Sequence, residues 1–358
     1  MEIKREQYKS QFNNLQGLRF FAFLLIFLNH SYWYLGISKV FDYGARGVEI
    51  FFVLSGYLVA YNYCDKEIGN TFNDSVHYVY KKLKKFYVLH IVTFVCFFIT
   101  PLKKFIKGVM TEQQSQKFIV DTILNITLLK SWWAPSMFSF NGVTWFLSTI
   151  LFAYLLVPQL VNFFKRRSNK FYVCSLVFVI VMKMALDTWG YKTPHHFWFP
   201  VSFYTNPAYR FMDFLLGYLL FINAKSYGEC LNKKLGSLFQ FVVFWSYIVC
   251  CFMFDKLWVP CAYLLITILV IYVCTIEDCI LDKLLGNKIC VYLGGISFEL
   301  FILHVLMIKV CKKLNHFLDG CFSNEQFWLF SLTVSIIVSV AAKEKIWRRL
   351  IPIFRSGV

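Results

Sequence analysis

The sequence predicts an all-α protein, a polytopic transmembrane helical bundle of about ten helices. Three observations carry that expectation. The 358 residues are 58% apolar and 16% charged, where a soluble domain runs near about 45–50% and 25%. Apolar residues come in runs long enough to cross a bilayer, which takes about 20 residues per helix. Charged residues cluster between those runs, as topology-setting charge does.

The elements follow in order. Residues 1–15 are a polar, basic tail carrying Lys4, Arg5 and Lys9. No small-residue cleavage site follows the first apolar run, which therefore reads as an uncleaved helix. Spans fall near 16–35, 44–63, 85–102, 143–163, 171–188, 204–223, 237–254, 257–275, 291–310 and 326–342. A run near 118–130 is too short and polar to span, and Trp132 and Trp133 beside it read as an interfacial anchor. Residues 16–345 form one membrane domain, and 346–358 are a basic tail.

With both termini cytoplasmic, the inner segments hold 22 Lys and Arg and the outer segments 11. The positive-inside rule favours that orientation in a cell membrane. The net charge of +17 raises nucleic acid as a partner. Its dispersal between apolar runs argues against one, and leaves lipid as the surrounding partner. The 12 Cys form no C-x-x-C pair and no zinc spacing, and most sit in apolar runs as small hydrophobes. No metal is expected.

Arg19, Lys183, Arg210 and Lys309 fall inside the spans. A cation at a helix centre costs about 2.5–3.5 kcal/mol on the insertion scale, so each needs a partner or a task. Lys309 is near a helix end and reads as snorkelling. Lys183 has Asp187 one turn on, and Arg210 has Asp213 three residues on. Arg19 and His30, eleven residues apart, share one face of the first helix about 16 Å apart along its axis. Glu49 opens the second helix at the depth His30 reaches, and a carboxylate beside an imidazole fixes its tautomer. Gly47 and Gly56 in the same helix read equally well as close-packing positions.

Arg19-x10-His30, followed by the block Gly47-Val-Glu-Ile-Phe-Phe-Val-Leu-Ser55-Gly-Tyr-Leu58, resembles the membrane acyltransferase-3 family. That family includes bacterial polysaccharide and peptidoglycan O-acetyltransferases. Pro207-Ala-Tyr-Arg210-Phe-Met-Asp213-Phe-Leu-Leu-Gly217 is similar to its Arg-then-Phe-x-x-Gly segment. Leu293-Gly294-Gly295-Ile296-Ser297-Phe298-Glu299-Leu-Phe-Ile-Leu-His304 is similar to its late helix ending in His. The resemblance covers roughly residues 15–345. Departures are Lys81-Lys82-x-Lys84-Lys85 where Arg-rich residues and a Pro are usual, Ile150 where Glu commonly follows Trp145-x-x-Ser148, and Glu344 without its Pro.

The resemblance implies an acyltransferase that takes acetyl or another acyl group from cytoplasmic acyl-CoA to a carbohydrate hydroxyl, the acceptor being a surface polysaccharide or its lipid-linked precursor. On this reading Arg19, Lys81, Lys82, Lys84 and Lys85 hold the donor's phosphates. His30, oriented by Glu49, removes the hydroxyl proton. Arg210, or a backbone N–H near Gly294 and Gly295, faces the oxyanion. A covalent acyl intermediate on His30 or Ser55 is the alternative to direct transfer, and Trp145, Ser148, Asp213, Ser297 and His304 are further candidates. The competing classes are a transporter of a small acylated or anionic solute, which also uses intramembrane charges, and a structural scaffold, which has little reason to keep them.

Overall fold

The computed structural model describes residues 2–35, 45–84, 86–192, 204–227, 233–252, 259–276, 280–318 and 322–355. Lys85, one of the expected donor-binding lysines, lies outside them. Among the described residues every regular element is a helix. Each of the ten apolar runs holds one, and two runs hold a broken pair. By length and composition alone, three helices among the described residues can cross a membrane, or up to five if each bent pair is one span. The chain divides into two compact units, Met1–Val48 with Lys283–Val358, and Glu49–Asp282.

The first unit contains α1 (Glu2–Leu35), α13 (Lys288–Gly295), α14 (Ser297–Phe317) and α15 (Asn324–Arg355). Glycine sets how closely α1 meets the chain around α13. A Cβ on Gly17 would collide with the Leu285 carbonyl, and one on Gly294 with the Gln16 carbonyl. That gives Gly294 a packing task. The helix-breaking pair Gly294-Gly295 precedes a 72° bend between α13 and α14. On α15, Ser331, Ser335 and Ser339 recur every four residues and are fully buried. Small residues at that spacing let α15 lie close along α14.

The second unit holds most of α2 (Ala45–Tyr63), then α3 (Phe72–Leu83), α4 (Tyr87–Ile106) and α5 (Glu112–Ile126). Capping boxes start the two amphipathic helices: Thr71 with Asp74 at α3, Thr111 with Gln114 at α5. The next span is broken into α6 (Trp145–Leu155) and α7 (Val157–Phe164), bent by 44°. Pro158 explains the break, since it has no N–H for the carbonyl four residues back. Then come α8 (Asn169–Lys192), α9 (Pro207–Tyr227), α10 (Lys233–Phe252), α11 (Val259–Val273) and the short α12 (Ile280–Leu284), which ends in the first unit. Helices α2 and α9 cross on a reciprocal glycine contact. A Cβ on Gly56 would strike the Phe214 carbonyl, and one on Gly217 the Val53 carbonyl. The packing reading of Gly56 thus holds, and Gly47 does the same against the Ala22 carbonyl in the first unit.

Candidate active site

In the first unit α1 and α14 bring two histidines together. His304 Nε2 lies 2.9 Å from His30 Nδ1. His304 is fully buried, and Phe23, Phe27 and Phe301 surround its ring at centroid distances of 5.7, 6.2 and 6.0 Å. Its Nδ1 faces two carbonyls, Phe301 O at 2.8 Å and Leu300 O at 3.2 Å. Carbonyl oxygens only accept, so Nδ1 carries the hydrogen and Nε2 of the neutral ring keeps a lone pair. The hydrogen shared between the rings must then sit on His30 Nδ1. That assignment leaves the lone pair of His30 on Nε2. His30 itself is half-buried.

Glu49, Arg210 and Asp213 belong to the second unit and meet there. Arg210 is 2% exposed. Its Nε donates to Tyr204 O at 2.8 Å and its Nη1 to Asp213 Oδ2 at 3.0 Å, with Glu49 Oε1 at 3.9 Å. The guanidinium sits among the rings of Tyr204, Tyr209, Trp145 and Phe52 at 4.8–5.9 Å. Asp213 also faces Lys183, which is 1% exposed, at 3.4 Å; Lys183 lies 3.5 Å from Asp187, and Tyr209 donates to Asp187. The two short-range pairs expected from sequence are therefore one cluster of three carboxylates and two cations. Such charges persist in an apolar surround because each is paired.

Other candidates have local duties. Ser55 Oγ donates to Phe51 O within α2 at 2.7 Å. Ser148 accepts the Ser131 N–H at 3.2 Å, and Ser131 Oγ donates to Trp145 O at 2.8 Å, fixing the start of α6. Ser297 Oγ is buried with no hydrogen-bond partner among the described residues. Gly295 O accepts from Lys343 Nζ at 2.8 Å. Arg19 is half-buried on α1 and Lys81 is exposed. Lys82 sits within 5.1–5.7 Å of three tyrosine rings, Tyr63, Tyr78 and Tyr154, and Lys84 stands 4.3 Å from that of Tyr80. The Lys309 ammonium lies 5.3 Å from the Tyr34 ring.

One buried cation escaped the sequence reading. Lys130, in the 3₁₀ turn after α5, is fully buried. Its ammonium reaches Asn125 Oδ1, Ser139 O, Asn141 O and Thr144 Oγ1 at 2.8–3.1 Å. Burial pushes its pKa down to about 7. The signal available in the sequence was the polar cluster Asn125, Ser139, Asn141 and Thr144 around a single Lys. Among the described residues no three His, Cys, Asp or Glu are grouped to hold a metal ion.

An acyltransferase domain family matches residues 12–344, nearly the whole chain. The chain belongs to the acyltransferase-3 family. No curated protein and no solved structure matches it. With its apolar helices, it is a multi-pass membrane acyltransferase. The transporter alternative finds no support in the family match. In this acyltransferase the Arg19-x10-His30 motif lies wholly on α1, and the late helix similar to the family's contributes His304 to the same unit.

Proposed function

We propose that this acyltransferase moves an acetyl or similar acyl group from cytoplasmic acyl-CoA to a carbohydrate hydroxyl, on a surface polysaccharide or its lipid-linked precursor. The paired histidines support this reading most directly. His30 presents Nε2 as the base toward the acceptor hydroxyl, and its Nδ1–H is anchored on His304. On proton uptake His30 becomes an imidazolium that still donates from Nδ1 to the His304 lone pair. The proton it gains passes to the departing CoA thiolate as the ester forms, so protons balance over the cycle. Within its cluster the Arg210 guanidinium serves the oxyanion or acceptor positioning, Glu49, 3.9 Å away, modulates its charge, and Arg19 greets the donor's phosphates.

The test uses the purified full chain in detergent with radiolabelled acetyl-CoA and an oligosaccharide acceptor, following acceptor-dependent CoA release. His30→Ala abolishes transfer while the protein stays folded. His304→Ala, which frees the tautomer, lowers kcat by about 10²–10⁴-fold, and His304→Gln, able to accept from Nδ1, recovers part of it. Full activity in a folded His30→Ala protein would refute the base assignment.

A further inference from the structure

The second unit contains a cavity of about 520 Å³ at the end where α2, α7 and α9 finish and α8 begins. Its volume is within the range of about 300–1,000 Å³ usual for small-molecule sites. Four cations line it, Lys165, Arg166, Arg167 and Lys225, against two carboxylates, Asp65 and Glu67. Lys225 pairs with Asp65, and Lys165 with Glu67 at 2.9 Å. Each lysine hydrogen bond holds its carboxyl below the usual carboxylate range. Arg166 and Arg167 remain as the surplus of positive charge.

The backbone that carries this surplus is held in an unfavourable shape. Arg166 has φ +58°, in the left-handed region where glycine is the neutral choice. Clamps on both sides enforce it. The Tyr172 hydroxyl donates to Phe164 O at 2.9 Å and accepts the Arg167 N–H at 3.2 Å. Arg167 Nε donates to Phe163 O at 3.0 Å, and its guanidinium lies 5.5 and 5.6 Å from the Phe163 and Phe171 rings. Strained residues of this kind cluster at binding and active sites. Phe164, Tyr172 and Tyr218 add aromatic lining beside the cations.

We propose that this cavity binds a phosphorylated nucleotide, its phosphates on Arg166 and Arg167 and its base against the aromatic wall. Taking that nucleotide as the phosphate-bearing end of the acyl-CoA donor rests on the function proposed above. A phospholipid headgroup shares the phosphate chemistry and has no ring for the tyrosines. Lys82 and Lys84 are absent from its lining and stand instead against tyrosine rings. The donor's phosphates would then meet the α7–α8 turn in place of that lysine cluster.

Isothermal titration of the full chain in detergent with adenosine 3′,5′-bisphosphate, a probe with no acyl arm, tests the proposal. Binding should weaken about tenfold in Arg166→Gly and less in Arg166→Lys, and the wild-type affinity should fall with added salt. Glycine suits the backbone there, so the thermal midpoint of Arg166→Gly should not drop. Unchanged affinity in Arg166→Gly overturns the site. So does binding of short-chain phosphatidylglycerol without the nucleotide, or equal binding of inorganic pyrophosphate, which would give the rings no part. Nucleotide binding by a wild-type protein that transfers no acyl group would sink the acyltransfer reading and leave the cavity standing. Normal transfer with no nucleotide binding would do the reverse.

Discussion

At the scale of single residues, burial sorts the polar groups by what they need. Arg210 and Lys183 are nearly inaccessible, and Asp213 is the carboxylate that faces both, 3.0 Å from one and 3.4 Å from the other. Asp213→Asn keeps the shape and removes the shared countercharge. Breaking a buried pair by deleting one partner costs about 3–5 kcal/mol, because the remaining charge stays desolvated. Denaturant unfolding in detergent should show a loss of that order. The double variant Asp213→Asn/Lys183→Met, with one fewer buried cation, should recover part of it. The i,i+3 and i,i+4 pairings of these residues were legible in the sequence because helix geometry alone makes such neighbours. Their merger was not, since Asp213 reaches Lys183 across two helices whose facing depends on packing.

At the scale of elements, the connection between α5 and α6 is an ordered cap built on Lys130. Its folded pKa, about 7, lies below the ordinary 10.5. Within that window the unfolded chain holds a proton that the folded chain lacks, so stability rises with pH across it and the gain is absent below about 7. Lys130→Met has no such proton. The thermal midpoint of the wild type should therefore climb relative to Lys130→Met between pH 7 and pH 10, and a constant difference would refute the assignment. The apolar runs located this cap's neighbours well, and Trp132 packs edge-on against Phe152 with ring centroids 5.2 Å apart. What they missed are the breaks. A hydropathy run is blind to the 44° and 72° bends, because Pro158 and Gly294-Gly295 redirect the backbone without interrupting apolar composition.

At the scale of the whole molecule, orientation governs which reactant each polar group meets. The 22-to-11 division of Lys and Arg predicts cytoplasmic termini. In a Cys-free background, a single Cys at Asn169 should resist a membrane-impermeant thiol reagent in intact cells, and one at Gln113 should react. Both positions are exposed. Ser136, in the same connection as Gln113, is a poor reporter because it is 1% exposed. The reversed pattern would place Arg19 on the outer side and require the donor's route to be redrawn. The cavity is independent of that outcome in one respect. Asp65 and Glu67, Lys165 to Arg167 and Lys225 line one space, so these three connections lie at the same end of the second unit.

Membrane class, the all-helical fold, the order of the apolar segments and the family were determined by sequence alone. Each is a local property: a run of apolar residues long enough to span, or a motif carried by one helix such as Arg19-x10-His30. The tertiary structure decided the partners. His30 bonds a histidine 274 positions away, and the hydrogen-bond direction that leaves its lone pair on Nε2 follows from two carbonyls on α14. Lys130 changed from a topology-setting charge to a buried anchor, and Arg166 from a loop charge to a strained residue lining a cavity. Contacts between residues distant in sequence have no periodic signature. They arise only where backbones approach, as Gly56 and Gly217 allow α2 and α9 to do.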